Sequence, residues 1–356
     1  MSLTPSTSPT TGPTTGPTTD PVTLWLIGVI IMVVVMVLLG GVTRLTQSGL
    51  SMVDWRPIMG VLPPMSDAAW GEAFNAYKRF PEYQRVNYGM TLTEFKAIFL
   101  MEYAHRVWGR LIGLVYALPF AWFVICGRVS GRQILTLTGV LLLGAAQGVM
   151  GWIMVKSGLI DTPSVSPYRL AAHLTLAVAI YISLLWIVLT RLHPMPTPGA
   201  RALAIRARVA LACALITLVT GAFVAGLDAG MTYNTFPLMD GRWIPDGLLM
   251  LEPVWRNLFE NVPLVQFNHR WLAIITVIAV LVLGIKATVT LGLPAHARIA
   301  AFSAVAAVLA QAVLGITTLI LVVPVALGAA HQAGALLLIG LLTWAVHESR
   351  RQRPTL

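Results

Sequence analysis

Charge is scarce in this sequence. Only 11% of its 356 residues are Asp, Glu, Lys or Arg, while 57% are hydrophobic. Soluble domains carry roughly a quarter charged residues, so this shortage excludes an ordinary soluble globular protein. Cysteine is nearly absent. Cys126 and Cys213 have neither disulfide nor zinc spacing and read as small apolar fillers at helix ends. Acidic residues are rarer than basic ones, which leaves a net charge of +10. Such an excess can indicate a nucleic-acid partner, but its placement excludes that here. The segments 125–132 and 191–207 hold Arg128, Arg132, Arg191, Arg201 and Arg206 and no acidic residue. This is the positive-inside pattern of a membrane protein, and it predicts that both termini are cytoplasmic.

Long apolar runs are what the sequence has in place of charge. Stretches near 24–43, 97–124, 133–155, 169–190, 208–229, 266–287, 299–323 and 327–347 each approach the ~20 residues needed to cross a hydrocarbon core. They predict an all-α integral membrane protein with eight transmembrane helices. The Thr/Pro/Gly-rich tail, residues 1–23, reads as disordered. It lacks the positive region of a cleaved leader, so the first apolar run reads as a span.

Internal echoes divide the chain. "EYAHRVWG" (102–109) resembles "QFNHRWLA" (266–273), and "QGVMG" (147–151) resembles "QAVLG" (311–315). "LAAH" ending at His173 echoes "GAAH" ending at His331, and "SGLSMVDW" (48–55) echoes "AGMTYNTF" (229–236). Their common order predicts two tandem four-helix bundles related by pseudo-two-fold symmetry. The halves are 24–190 and 208–347, with a cytoplasmic linker at 191–207 and a basic cytoplasmic tail at 348–356. Each half has one long extracytoplasmic loop, 44–96 or 230–265. Both are rich in Trp, Pro and Gly, and loops of that length are often lids or binding surfaces.

Four histidines, His105, His173, His269 and His331, fall within about two turns of the outer end of their helices. His193, His296 and His347 fall at cytoplasmic ends and read as solvated. Paired histidines on facing helices suit a flat macrocycle with one axial ligand from each side. The spacing therefore points to two bis-imidazole haem irons, His105 with His173 and His269 with His331. A proton relay and plain packing are the competing readings. Zinc fits less well, because a structural site wants four ligands. The halves differ at one place, where Glu102 corresponds to Gln266. Glu102 shares a helix face with His105. It reads either as a carboxylate active beside one haem or as an ion-pair partner of Arg106 or Arg110. Arg106, Arg110 and Arg270 read as haem-propionate partners or as side chains snorkelling outward. Arg44 and Asp228, at the ends of the first helix of each half, leave the same two readings open.

"GGVTRLTQSGLSMVDWRPIMGVLPP", "FLMEYAHRVWGRLIGL", "QGVMGWIMVKSGL" and "RLAAHLTLA", with their C-terminal echoes, resemble the haem A synthase family, in its alphaproteobacterial and mitochondrial subgroup. The resemblance covers the chain after the tail. It implies an oxidoreductase that converts a methyl group of haem O to the formyl group of haem A for cytochrome oxidase. The oxidation would reach the hydrate level in two steps and end with loss of water. It also implies substrate haem at His105 and His173, haem b at His269 and His331, and Glu102 as the catalytic carboxylate. The second haem would relay electrons. Some members carry a cysteine pair in the first outer loop, whereas residues 44–96 here have none, which excludes a thiol relay there. The resemblance places the chain in a bacterial inner membrane. Candidate partners are the farnesyltransferase that makes haem O, cytochrome oxidase assembly factors and a second copy of the chain. A di-haem cytochrome b-type electron carrier for quinones is the main alternative, and a repeat-built transporter is a weaker one.

Overall fold

The computed structural model describes residues 20–53, 62–158, 164–193 and 199–350. These contain eleven α-helices, three short 3-10 turns and no strand, apart from one isolated bridge between Met239 and Arg242. In chain order the helices are α1 (Pro21–Leu45), α2 (Asp67–Tyr77), α3 (Pro81–Arg85), α4 (Leu92–Ile125), α5 (Arg132–Gly158) and α6 (Pro167–Leu192). They continue with α7 (Ala204–Gly226), α8 (Asn257–Glu260), α9 (Val262–Val289), α10 (Ala295–Ile320) and α11 (Val325–Glu348). Eight of them are long and apolar enough to cross a membrane, and the eight stretches read from the sequence fall on these eight.

The ends differ from expectation for local reasons. α1 begins at Pro21, inside the tail expected to be disordered, because Asp20 caps it. The Asp20 carboxylate accepts from the Val22 N–H at 3.0 Å and from the Thr23 hydroxyl at 2.6 Å, and Pro21 suits a first helical position. The expected linker 191–207 is partly structured as well. α6 runs to Leu192, and a 3-10 turn at Ala200–Leu203 leads into α7. The tail expected from 348 begins later, because Glu348 closes α11. The rest of the N-terminal tail, the middle of the linker, the last six residues and residues 54–61 lie outside the described residues.

α4 has 34 residues, about 50 Å at the α-helical rise, which exceeds the ~30 Å of a hydrocarbon core. Its first turn carries a capping box between Thr91 and Glu94. There Phe95 and Phe99 meet Trp70 and Phe74 of α2 and Tyr77 at its end, which forms a small aromatic core in the first long loop.

Deeper in the molecule, packing relies on small residues. Ala207, Ala210 and Ala214 on α7, and Ala297, Ala300, Ala301 and Ala304 on α10, are buried. Without a hydrophobic force between helices in lipid, such small side chains let backbones approach closely. Leu114, Leu118 and Trp122 on α4 and Leu135 and Leu142 on α5 are exposed, as a lipid-facing surface requires. Among the long helices, α1 packs on α4 and α6, α5 packs on α6, and α7, α9, α10 and α11 pack around one another. α1 and α6 meet α7 and α11 along a seam.

The basic end of that seam corrects one expectation. His347 is not solvated. It is fully buried, 3.2 Å from the Thr190 hydroxyl and 2.7 Å from Arg350, with its ring edge-on to Trp186. Glu348 beside it is also buried and lies 3.4 Å from His193, whose ring contacts that of His296. These residues tie the end of α6 to the end of α11, where the alternative would be bare polar groups in apolar surroundings. The two cysteines are free, and Cys126 is exposed rather than a buried filler.

Asp20 also holds this end by accepting from Arg191 at 2.8 Å. Against the desolvation of its partial burial, the bonds from Thr23, Arg191 and the Val22 N–H hold its carboxyl down at about 2. A depressed carboxyl contributes stability above its ordinary value near 3.8 and loses it as pH falls through about 2. Asp20→Ala should therefore cost about 1 kcal/mol at neutral pH. The measurement is the thermal midpoint of the detergent-solubilised protein, and the gap to the parent should close in strong acid.

Candidate functional site

His105, His173, His269 and His331 share one local design. Each lies against a glycine of the preceding membrane helix. A side chain started at Gly40 on α1 would meet His105 Nε2 at 3.2 Å, and one at Gly151 on α5 would meet His173 Cε1 at 3.3 Å. Gly221 on α7 stands in the same relation to His269 at 3.0 Å, and Gly315 on α10 to His331 at 2.8 Å. At Gly315 a Cβ would force the ring to shift, and at the other three it would crowd it, so glycine permits the close approach. His105 and His173 lie close enough to act on each other electrostatically, and so do His269 and His331.

The ring nitrogens have partners that leave the opposite atom available. His331 Nδ1 is 3.0 Å from the Gln311 amide nitrogen, and His269 Nδ1 is 3.1 Å from the Thr220 hydroxyl. The Thr220 hydroxyl donates to the Thr217 carbonyl, so its oxygen accepts from His269 Nδ1 and leaves Nε2 to meet a metal, the usual arrangement in which the second nitrogen orients a ligating imidazole. The Gln311 amide nitrogen only donates, so His331 takes the same arrangement when that amide turns its unpartnered oxygen toward Nδ1. His173 uses the other nitrogen, with Nε2 3.2 Å from the Gln147 amide, while its Nδ1 is buried and has no partner. The Gln147 oxygen is unpartnered too, and an amide turned to present it would accept from Nε2 and leave Nδ1 as the nitrogen that meets a ligand. The residues present thus fit axial ligation of haem iron. No cluster of three or more His, Cys, Asp and Glu suited to a bare metal ion occurs among the described residues.

Glu102 and Gln266 hold the two long loops in opposite senses. Glu102 is buried, and its Oε2 accepts from the Ser51 hydroxyl at 2.8 Å and from the Met52 N–H at 2.7 Å. Its Oε1 accepts from Arg106, which also donates to the Met52 carbonyl. Gln266, equally buried, donates instead to the carbonyls of Ala229 and Thr232 at 2.8 and 2.6 Å, and its Oε1 accepts from Arg270. Arg270 donates further to the carbonyls of Tyr233, Thr235 and Leu238. A carboxylate can only accept hydrogen bonds, whereas an amide can also donate. The first loop therefore offers donors, and the second offers acceptors.

Of the residues read as site candidates, Glu102 and Arg106 are brought together as an ion pair, and Arg106 and Arg270 are bound to loop backbone. Arg110 lies one turn beyond Arg106 on α4. Arg44 and Asp228 bind each other at 2.9 Å across the seam, and Arg44 also donates to the Ala225 carbonyl. Sequence reasoning missed the glycines, Gln147 and Gln311 as site residues. Their trace was the pair of echoes "QGVMG" and "QAVLG", which put a Gln one helical turn before a Gly in each half. Trp55 and its neighbours in the first loop lie outside the described residues.

Residues 23–343 match the family described as cytochrome oxidase assembly protein. A protein of Nitrosospira multiformis named Heme A synthase is 48% identical over 332 residues, spanning 92% of this chain and 93% of that one. The Arabidopsis thaliana protein named Heme A synthase COX15 is 48% identical over 93% of this chain and 75% of its own. The Mus musculus protein of the same name is 45% identical over 92% of this chain and 81% of its own. With that identity sustained across nearly all of its eight membrane-crossing helices, the chain belongs to the cytochrome oxidase assembly protein family.

Proposed function

We propose that the chain is a haem A synthase, which oxidises a methyl group of haem O to the formyl group of haem A. Substrate haem is held by His105 and His173, and a resident haem b by His269 and His331. The chain sits in a bacterial inner membrane with both termini cytoplasmic, as two four-helix halves with one haem each. The observation that carries this reading is the contrast between the halves. They correspond at both histidines and both glycines of each pair, and they differ where Glu102 faces Gln266. Two sites built only for electron transfer, as in a quinone-linked cytochrome b, would not need a buried carboxylate in one alone.

Haem b, held by His269 and His331, would supply a one-electron carrier. The chain's own residues do the rest. Gly40 and Gly151 leave room for the His105 and His173 rings, which would hold the substrate iron. Ser51, the Met52 N–H and Arg106 fix the Glu102 carboxylate beneath the first loop. Oxidation builds positive charge on the methyl carbon and releases protons. A fixed carboxylate one turn from the iron ligand stabilises that charge or accepts a proton. The exposed apolar helix faces suit a substrate with a farnesyl-type tail. In this reading Arg106, Arg110 and Arg270 lie on the helices of the ligand histidines and supply the cations for the haem propionates.

Glu102→Gln tests the carboxylate. It should fold, keep the haem b spectrum and still bind haem O. Conversion to haem A should fall about 100-fold, the usual scale for losing charge stabilisation in a dry site. Ser51→Ala removes one bond to Glu102 but keeps its charge, so it should cost far less. Equal losses in both variants, read from extracted pigments, would make Glu102 a loop anchor only.

The ligand assignment is tested spectroscopically. Two imidazoles give a strong axial field on both faces of the iron. His331→Ala and His269→Ala should each abolish the low-spin haem b spectrum or turn it high-spin. Gly315→Val, which places side-chain carbon where the His331 ring now lies, should do the same while leaving both histidines present. A low-spin spectrum unchanged in both histidine variants would remove haem b from the C-terminal half.

A further inference from the structure

Glu82, on α3 in the first long loop, has no role in the site described so far. It is 5% exposed, and its Oε2 is buried without a hydrogen-bond partner. A buried, unpartnered carboxylate oxygen is costly and calls for an explanation. The carboxyl is hydrogen-bonded to Tyr77, which is fully buried and accepts from the Asn87 amide at 2.7 Å. The titratable groups that act on Glu82 are Tyr77 at the end of α2 and Glu102 on α4. Glu102 is in turn paired with Arg106. Glu82 is thus bonded to the aromatic cap and within electrostatic reach of the carboxylate of the first site.

The second loop is built differently. Its buried polar side chains among the described residues are Asn257 and Asn261, both amides, and they bond to loop backbone and to each other. The half with a carboxylate at 102 therefore carries a second buried carboxylate above it, and the half with an amide at 266 carries amides.

We propose that Glu82 is a proton-relay residue, which takes protons released beside Glu102 and passes them to water on the outer side of the loop. This rests on the reading of the first half as the oxidising site. Taking a methyl group to the formyl level removes protons together with electrons, and the relay concerns the protons alone. Each proton leaves the Glu102 end of the site, arrives on Glu82 Oε2 and departs to outer water, which regenerates the carboxylate. Glu82 acts through Glu102 and does not touch the substrate. Burial, and after it the Glu102 charge, push the Glu82 carboxyl up to about 7, while the bond to Tyr77 holds it lower than it would otherwise be. A group titrating there can both accept and release a proton near neutral pH.

The experiment follows conversion of haem O to haem A by the purified full-length protein with haem b in place, at pH values either side of neutrality. In the parent, conversion should rise with pH through a limb near 7, as Glu82 becomes able to accept. Glu82→Gln should lower conversion roughly tenfold or more and flatten that limb, with the haem b spectrum and haem O binding unchanged. Glu82→Asp should restore most of the conversion and the limb. Tyr77→Phe removes the bond that holds the carboxyl down, so the limb should move to higher pH. A Glu82→Gln variant with the parent's rate and pH profile would overturn the relay. Equal loss in Gln and Asp variants, accompanied by loss of haem, would overturn it in favour of a structural role. Glu102→Gln in the same assay separates the two ideas. If it converts normally, the reading of Glu102 fails. If it is impaired while Glu82→Gln is not, only the relay fails.

Discussion

A polar group inside a bilayer has no water to turn to, so it must be satisfied by the protein itself. The arrangement of this molecule depends on where its few polar side chains meet that demand. At the loop end, Glu102 with Arg106 and Gln266 with Arg270 bind the backbone of the two long loops. At the basic end, His347, Glu348 and His193 knit α6 to α11. Between these levels the packing is almost wholly apolar, with alanine and glycine setting how near the helices come.

The loop anchors give the difference between Glu102 and Gln266 a physical content. Each side chain matches the bonding groups that its own loop presents. A glutamate at 266 would turn its oxygens toward the Ala229 and Thr232 carbonyls. A glutamine at 102 would lose acceptance from either the Met52 N–H or Arg106. The charge at the first site is therefore built into the path of the first loop, by the N–H of Met52 and the hydroxyl of Ser51. A buried carboxylate also needs a cation close by, and Arg106 supplies it from the same helix one turn away. Placement of a charge beside one histidine pair and its absence beside the other belong to the fold as well as to the side chains.

The glycines constrain the other face of each site. A histidine near the end of a membrane helix could point in several directions. With a glycine on the neighbouring helix, its ring fills the space that a side chain would otherwise occupy, and at His173, His269 and His331 a Gln or Thr lies against one ring nitrogen. The result is a fixed ring with one nitrogen partnered, which is the condition for an axial ligand of predictable orientation.

The sequence by itself determined the class and the eight apolar spans, because hydropathy is a local property that lipid enforces one segment at a time. Whole-chain similarity then fixed the family. The tertiary structure decided what no local pattern could. It turned Arg106 and Arg270 toward loop backbone, paired Arg44 with Asp228 across the seam, and buried His347, which looked solvated at its helix end. It also brought Glu82 within electrostatic reach of Glu102 although the two lie on different helices. Such contacts depend on how separate helices and loops meet, and the partner that satisfies a polar group in lipid is chosen by proximity in space. The sequence names which groups need partners, and only the fold says which partners they find.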